Sequence, residues 1–161
     1  MNWLRIKGRK NIGLLILLII AIELGGFVSG LLAGSEQYAN LNRPDFSPPG
    51  WVFPIVWTLL YFLMALAVYR VMQWGSYGKP TGKAVLYFIV QLALNYLWPI
   101  LFFKFELYGV AFIELLLLLI MIILTTIEFA KIDKPAALLM IPYILWVGFA
   151  GILNLLIWLM N

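Results

Sequence analysis

Tryptophan and asparagine side chains recur at helical spacing inside apolar stretches of this 161-residue chain. Trp57 lies four residues before Tyr61, and Asn95 lies three residues before Trp98, so the members of each pair share one face of a helix. Trp146 lies inside a third apolar stretch. Indole and phenol rings offer flat apolar surfaces for stacking, and an amide beside them supplies a hydrogen bond. Aromatic walls with one or two polar groups are typical of a pocket for a small ligand.

The same residue types also allow a purely structural interpretation. Tryptophan and tyrosine are common at membrane–water interfaces. Rings near the ends of apolar stretches fit this role: Trp3, Trp51, Trp74, Tyr77 and Trp158. It fits Trp57 less well, because Trp57 lies six residues beyond Trp51, or roughly 9 Å deeper at helical rise. Taken alone, Asn95 and Asn154 would more often join helix to helix, but an asparagine beside a deep tryptophan favours a ligand site.

The chain has no cysteine and no histidine, and their absence excludes several kinds of bond and site. Disulfides, thiolate or imidazole metal sites, and Ser-His or Cys-His catalysis are excluded. We expect no metal site and no required cofactor. Two acidic residues, Glu23 and Glu114, fall inside apolar stretches, where an ionised carboxyl is costly. Each acid is either functional or a neutral carboxyl that is bonded to a neighbouring helix.

The apolar stretches themselves indicate membrane-spanning helices. The chain is 65% hydrophobic and 11% charged, whereas about a quarter of the residues of soluble domains are charged. Five stretches reach the roughly 20 residues that cross a bilayer: 12–33, 52–72, 84–103, 110–129 and 136–160. Barrel strands would alternate apolar and polar residues, but residues 115–124 are apolar throughout. The sequence therefore predicts an all-α membrane protein, with one five-helix transmembrane domain over residues 1–161.

The basic residues are distributed unevenly between the connections. Of the 11 lysines and arginines, only Arg43 and Lys104 fall on the predicted outer side. The others fall on the inner side: Arg5, Lys7, Arg9, Lys10, Arg70, Lys79, Lys83, Lys131 and Lys134. The positive-inside rule then places the N-terminus inside and the C-terminus outside. Because these charges flank apolar stretches, we expect the lipid bilayer as a partner and no nucleic acid.

Three local sequence patterns give further predictions. The proline-rich connection 35–50 predicts a turn-rich loop that lies over the outer side of the bundle. Gly26, Gly30 and Gly34 form a GxxxGxxxG stripe that admits a close helix contact, within the bundle or in a dimer. The first stretch, with its basic start, resembles a signal peptide, but its length favours a retained helix.

Characteristic motifs follow one another from Tyr38 to the end of the chain. They are YANLNRP at 38–44 with SPPGW at 47–51, PIVW at 54–57, QLALNYLWP at 91–99, and PYILW at 142–146 followed by LN at 153–154. In order and spacing these motifs resemble the translocator protein family, also called tryptophan-rich sensory proteins or peripheral-type benzodiazepine receptors.

The resemblance implies a five-helix bundle, commonly dimeric, with a pocket open towards the first long loop. Family members bind porphyrins such as protoporphyrin IX and benzodiazepine-type ligands, and animal members bind cholesterol. By motif position, the ligand-binding residues are predicted to be Tyr38, Pro48, Trp57, Tyr61, Asn95, Trp98, Trp146 and Ala150. Some bacterial members promote light-dependent porphyrin breakdown, which implies a photochemical role for Trp57 and Trp146. The animal cholesterol motif needs a basic residue near the C-terminus, and no basic residue follows Lys134 here.

Three functions are compatible with these residues. The preferred one is an integral membrane binding or sensory protein for porphyrins and other flat apolar ligands; the alternatives are light-dependent porphyrin degradation and transport of tetrapyrroles or lipids. The sequence lacks the internal repeat symmetry that many secondary transporters show. Without histidine or cysteine, haem could be ligated only through tyrosine or methionine, so metal-free porphyrin is the favoured ligand. We expect a homodimer in a bacterial plasma membrane.

Overall fold

The computed structural model describes residues 11–34 and 36–161, without the side chains of residues 36 and 37. Trp3, the basic residues before Asn11, and Ser35 lie outside the described residues. Within the described residues there are five α-helices: α1 (Ile12–Ala33), α2 (Val52–Gly75), α3 (Gly82–Pro99), α4 (Tyr108–Ile132) and α5 (Lys134–Met160). All five are long and apolar enough to span a membrane, counting the π-helical turn Ile100–Lys104 that continues α3. The predicted all-α, five-helix architecture is confirmed, although α2, α3, α4 and α5 begin or end a few residues away from the predicted bounds.

Local sequence signals determine where these helices begin and end. The Asn11 side chain accepts a hydrogen bond from the Leu14 amide at 3.0 Å and so caps α1. Asp133 is the single residue between α4 and α5, and its carboxylate caps α5 by accepting from the Ala136 amide at 3.1 Å. Pro135 follows in the first turn of α5, where a proline costs no helical hydrogen bond. The predicted outer loop begins with a short 3₁₀ turn, Glu36–Asn40, and continues through turns as expected.

The helices form a closed ring in the order α1, α2, α5, α4, α3, and each helix packs against its two neighbours. Buried apolar side chains from all five helices fill the centre. α1 buries the fewest residues and turns most of its apolar side chains outward. In lipid this outward apolar surface carries no hydrophobic penalty. The ring therefore has a filled apolar interior and an apolar outer surface.

An ion pair closes one end of the ring, which we call the inner end after its predicted side; the opposite end, beside the predicted outer loop, is called the outer end. The Arg70 Nε donates to Asp133 Oδ2 at 2.6 Å, and its Nη2 donates to Asp133 Oδ1 at 3.1 Å. The Trp74 indole also donates to Asp133 Oδ1, at 3.1 Å. The sequence-based assignment of Arg70 to the connection after the second helix was wrong: Arg70 lies within α2 and is buried. Its charge is tolerated there because a bidentate carboxylate neutralises it.

The Asp133 carboxylate is held in its ionised form. Burial alone would raise the pKa of Asp133, but the hydrogen bonds from Arg70 and Trp74 outweigh burial and lower the pKa below its usual range. A carboxyl whose pKa is depressed by folding stabilises the protein above the pKa of the unfolded state, about 3.9. That contribution is lost as the pH falls through the lower pKa of the folded state.

Replacing Asp133 with alanine should lower the free energy of unfolding by about 3 to 5 kcal/mol, because Arg70 would stay buried without its counter-charge. Thermal unfolding in mild detergent at pH 7 measures this loss. Glu128→Ala is the matched control at the same end of the bundle. Glu128 pairs with the exposed side chains of Lys83 and Lys131, and such pairs contribute at most about 1 kcal/mol.

The wild-type protein should also lose stability on acidification below about pH 4, and Asp133→Ala should show less of this loss. Equal destabilisation by Asp133→Ala and Glu128→Ala at pH 7, or identical acid profiles for wild type and Asp133→Ala, would contradict this role of the ion pair.

Candidate functional site

A chain of buried hydrogen bonds crosses the middle of the ring. The Tyr61 hydroxyl donates to Asn95 Oδ1 at 2.8 Å, and Asn95 Nδ2 donates to the Tyr143 hydroxyl at 2.7 Å. The Tyr143 hydroxyl in turn donates to Gln91 Oε1 at 2.8 Å. All four side chains are buried, so the prediction that Asn95 points into the bundle is confirmed. We call these four residues the central network; it joins α2, α3 and α5.

Trp57 lies directly on this network. Its ring stacks on Tyr61 with a centroid distance of 5.6 Å and meets Tyr143 edge-on at 6.3 Å. The helical spacing of Trp57 and Tyr61 is the reason that both rings share one face of α2. Trp57 is half-buried. Its ring contacts are made inside the ring of helices, as its depth in the sequence predicts.

Trp98 is the second deep tryptophan, and both its indole nitrogen and its ring contact neighbouring side chains. Its indole nitrogen donates to Asn154 Oδ1 at 3.0 Å, and Asn154 Nδ2 donates to the Tyr108 carbonyl at 2.8 Å. The Trp98 ring stacks on Phe102 at 5.0 Å. Asn154 therefore points inward, as predicted, and joins α3, α4 and α5. The amide positions the Trp98 ring at the outer end of the bundle interior.

Trp146 differs from Trp98 in its hydrogen bonding. Its ring meets Phe53 edge-on at 5.9 Å and lies 5.5 Å from Phe149. Its indole nitrogen is buried and has no hydrogen-bond partner among the described residues. A buried donor without a partner costs about 1 to 3 kcal/mol. This N–H is therefore available to an acceptor on a ligand.

The outer loop inserts a tyrosine above these rings. Tyr38 is buried, and its hydroxyl donates to the Pro48 carbonyl at 3.0 Å. The Tyr38 ring contacts Phe53 at 5.2 Å and Phe103 at 6.3 Å. The Arg43 guanidinium lies over the same ring, 4.6 Å from its centroid. Tyr38 thus plugs the outer end of the bundle.

A small cavity of about 10 Å³ lies beneath this plug, with room for about one water molecule. Its lining residues are Tyr38, Phe53, Trp98, Phe102, Phe103, Ala150, Leu153, Asn154 and Ile157. Of the residues predicted for the ligand site, the structure thus brings Tyr38, Trp98 and Ala150 together. The remaining predicted residues do not line the cavity: Pro48, Trp57, Tyr61, Asn95 and Trp146. The site is closed by ring-to-ring contacts.

Sequence reasoning missed two members of the central network, Gln91 and Tyr143. Both lie in the motifs that carry the family resemblance, and both had a usable signal. Gln91 lies four residues before Asn95, and Tyr143 lies three residues before Trp146, so each shares a helix face with a residue that was singled out. The Gln91 Nε2 atom, like the Trp146 indole, is buried without a partner among the described residues.

Both intramembrane acids lie within helices, as predicted. Glu114 is buried, and neither of its carboxyl oxygens has a partner in the part of the chain that the structure describes. Glu23 is half-buried in α1. A photochemical role for Trp57 and Trp146 stays a prediction.

The glycine stripe on α1 serves packing at one position. An added Cβ at Gly26 would lie 2.1 Å from the Tyr61 ring, so only glycine leaves room for that ring. Next to it, Gly25 makes room for Tyr96 in the same way. Gly30 and Gly34 have no atom within 4 Å of an added Cβ. The close contact predicted from GxxxGxxxG is thus made at Gly26, within the bundle, by an aromatic ring.

The fold and these contacts define a helical membrane protein whose five spans enclose tryptophan and tyrosine rings below an outer loop. The family model described as TspO/MBR matches residues 15–159, and the chain belongs to this family. It is 36% identical over 151 residues to the tryptophan-rich protein TspO of Chlorobaculum tepidum, covering 94% of this chain and 96% of the relative.

Relatives from distant organisms show comparable similarity. Identity is 39% over 124 residues to the tryptophan-rich sensory protein of Cereibacter sphaeroides, covering 77% of this chain and 76% of that protein. It is 37% over 145 residues to the translocator protein of Homo sapiens, covering 86% of this chain and 85% of that protein. The resemblance inferred from the motifs is thereby confirmed.

Gly26→Ala should destabilise the protein by about 1 to 3 kcal/mol, because the new methyl group displaces the Tyr61 ring from Asn95. Gly30→Ala is the control on the same helix. Its methyl group enters open space, and alanine favours the helix over glycine by about 0.8 to 1 kcal/mol. Thermal unfolding of both variants in detergent measures the difference. A Gly26→Ala variant as stable as Gly30→Ala would contradict the proposed contact with Tyr61.

Proposed function

We propose that this protein binds flat, largely apolar ligands of the porphyrin type between the outer loop and the central network. The single observation that carries the proposal is the Trp146 indole N–H, which is buried among aromatic rings without a partner in the described part of the chain. The rings of Trp57 and Trp98 border the same outer half of the bundle interior. A π-face stacked on such rings gains more than its buried area alone, by about 0.5 to 1.5 kcal/mol for each ring pair.

The polar groups of the site divide into two roles. Asn95 already donates to Tyr143 and accepts from Tyr61, so it supports the floor of the site rather than contacting a ligand. The polar atoms of a ligand would instead meet the Trp146 N–H and the buried Ser47 hydroxyl, which lacks a partner among the described residues. Arg43 at the outer loop supplies a positive charge for a ligand carboxylate.

Binding of a porphyrin requires the closed site to open. The cavity of about 10 Å³ is far smaller than a tetrapyrrole, so the Tyr38 plug and the rings beside it must move outward. The observed affinity is then the intrinsic affinity multiplied by the fraction of molecules that are open. The contacts to be broken are ring pairs and one hydroxyl bond at Tyr38, each of modest strength.

Titration of protoporphyrin IX into the detergent-solubilised protein tests the site. Trp57→Ala should weaken binding by roughly tenfold, since one stacking surface is lost. Trp146→Phe keeps a ring but removes the N–H, and should weaken binding by roughly threefold to tenfold. Trp51→Ala is the control, because Trp51 is 68% exposed at the start of α2. Equal affinity in wild type and all three variants would reject this site.

The orientation and assembly of the chain belong to the same proposal. Lys79, Lys83, Lys131 and Lys134 lie in or beside the connections at one end of the ring, which supports an N-terminus inside and a C-terminus outside. A bacterial plasma membrane is the proposed location.

The outward apolar face of α1 offers a surface on which a second copy can form the expected homodimer. Light scattering in detergent measures that assembly.

Single-cysteine labelling tests the orientation, and the cysteine-free wild type is its blank. In intact bacterial cells, a membrane-impermeant maleimide should label Asp45→Cys, which is exposed in the outer loop. The same reagent should label Lys131→Cys only after the cells are permeabilised. The reverse pattern would show that the N-terminus faces outward.

A further inference from the structure

The last residue of the chain is hydrogen-bonded to the middle of the outer loop. The Asn42 amide donates to Asn161 Oδ1 at 3.1 Å, and Asn161 Nδ2 donates to the Asn42 carbonyl at 2.8 Å. The Asn42 side chain also donates to the Met160 carbonyl, at 3.4 Å. The side-chain amide of Asn161 thus bonds both the backbone N–H and the backbone C=O of Asn42. This arrangement requires a specific geometry. We call this pair of asparagines the clasp.

The α5 side of the clasp is itself fixed. Asn161 Nδ2 donates to the Ile157 carbonyl at 2.8 Å, which holds the side chain against the last turn of its own helix. Ile157 is buried and lines the small cavity beneath the plug. The clasp therefore ties the loop to a helix end that belongs to the wall of the candidate site.

The loop side of the clasp lies next to the plug. Arg43 directly follows Asn42, and its guanidinium covers the Tyr38 ring. Tyr38 is also bonded through its hydroxyl to Pro48, on the far side of the loop. Another hydrogen bond, from the Ser47 amide to the Pro44 carbonyl at 2.9 Å, lies entirely within the loop and so does not tie the loop to a helix. Release of Asn42 would free the segment that holds Tyr38 over the cavity.

The clasp differs from the plug in its exposure to water. Asn42 and Asn161 are both exposed, so water competes for each of their hydrogen bonds. The plug, in contrast, is buried and fixed by ring contacts. Lids of this kind commonly open on the microsecond to millisecond timescale, and their opening limits the entry and release of ligands.

We propose that the Asn42–Asn161 clasp gates the candidate site by holding the outer loop, and with it the Tyr38 plug, in the closed position. The proposal rests on the proposed ligand function, and it adds a role for two residues that lie outside the site. Loss of the clasp raises the fraction of open molecules. The association of a ligand then becomes faster, and its observed affinity rises with the fraction of open molecules.

Hydrogen exchange without any ligand tests whether the clasp holds the loop. In Asn161→Ala, the amides of residues 38–51 should exchange roughly threefold to tenfold faster than in wild type, because the loop opens more often. Asn40→Ala is the matched control, since Asn40 is an exposed asparagine of the same loop. Amides inside α4 report whether the variants stay folded. Loop exchange at the wild-type rate in Asn161→Ala overturns the clasp.

A reversible cross-link tests the gating. The chain has no cysteine, so Asn42→Cys/Asn161→Cys carries only the two introduced thiols. Bridging them with a short bifunctional methanethiosulfonate should slow protoporphyrin IX association at least roughly tenfold, and reductant should restore the rate. The reduced protein serves as its own control. Equal association rates with and without the bridge overturn the gating role.

The two proposals fail in different ways. If protoporphyrin IX binds neither the wild type nor the reduced variant, the proposed function and the gating that depends on it are both rejected, while hydrogen exchange still decides whether the clasp holds the loop. If protoporphyrin IX binds but its rates ignore the bridge, the ligand function stands and the gating is rejected.

Discussion

The packing of the bundle interior depends on the two hydrogen bonds of the Asn95 side chain. It accepts from Tyr61 of α2 and donates to Tyr143 of α5, so three helices meet at one side chain. In lipid the hydrophobic effect does not drive helices together, and close packing with directed hydrogen bonds takes its place. Gly26 serves the same end, because its missing side chain lets α1 approach the Tyr61 ring. Without this alignment the rings of α2, α3 and α5 would have no reason to face one another.

The bundle is divided by the central network into two halves of different character. Below it, aliphatic side chains and the buried rings of Tyr69, Phe88 and Phe129 pack closely, and the Arg70–Asp133 pair seals the inner end. Above it, aromatic rings border a cavity of about 10 Å³, and the Trp146 indole N–H lacks a partner among the described residues. Rings that pivot about χ angles can rearrange without breaking backbone hydrogen bonds. The proposed ligand site lies in this outer half.

The sequence predicted the parts of this structure that depend on length, hydropathy and depth. Five spans follow from runs of apolar residues, and the inward direction of Asn95 and Asn154 follows from the cost of an amide in lipid. The order of helices in the ring was not predictable, because helices that are apolar all round show no inward face. Arg70 was assigned to a connection because its partner, Asp133, lies 63 residues away and has no local signal. The closed state of the site depends on the Tyr38 ring from the loop, whose position no helical period determines.

The one-residue link at Asp133 has a mechanical consequence. A single residue, Asp133, joins α4 to α5, and its side chain caps the start of α5. The two helices therefore behave as one stiff hairpin. α1 has the smallest buried surface, and open space adjoins Gly30. Compliance is thus concentrated on the α1 side of the ring, opposite the stiff wall. Widening of the ring would therefore displace α1 more readily than it would separate α4 from α5.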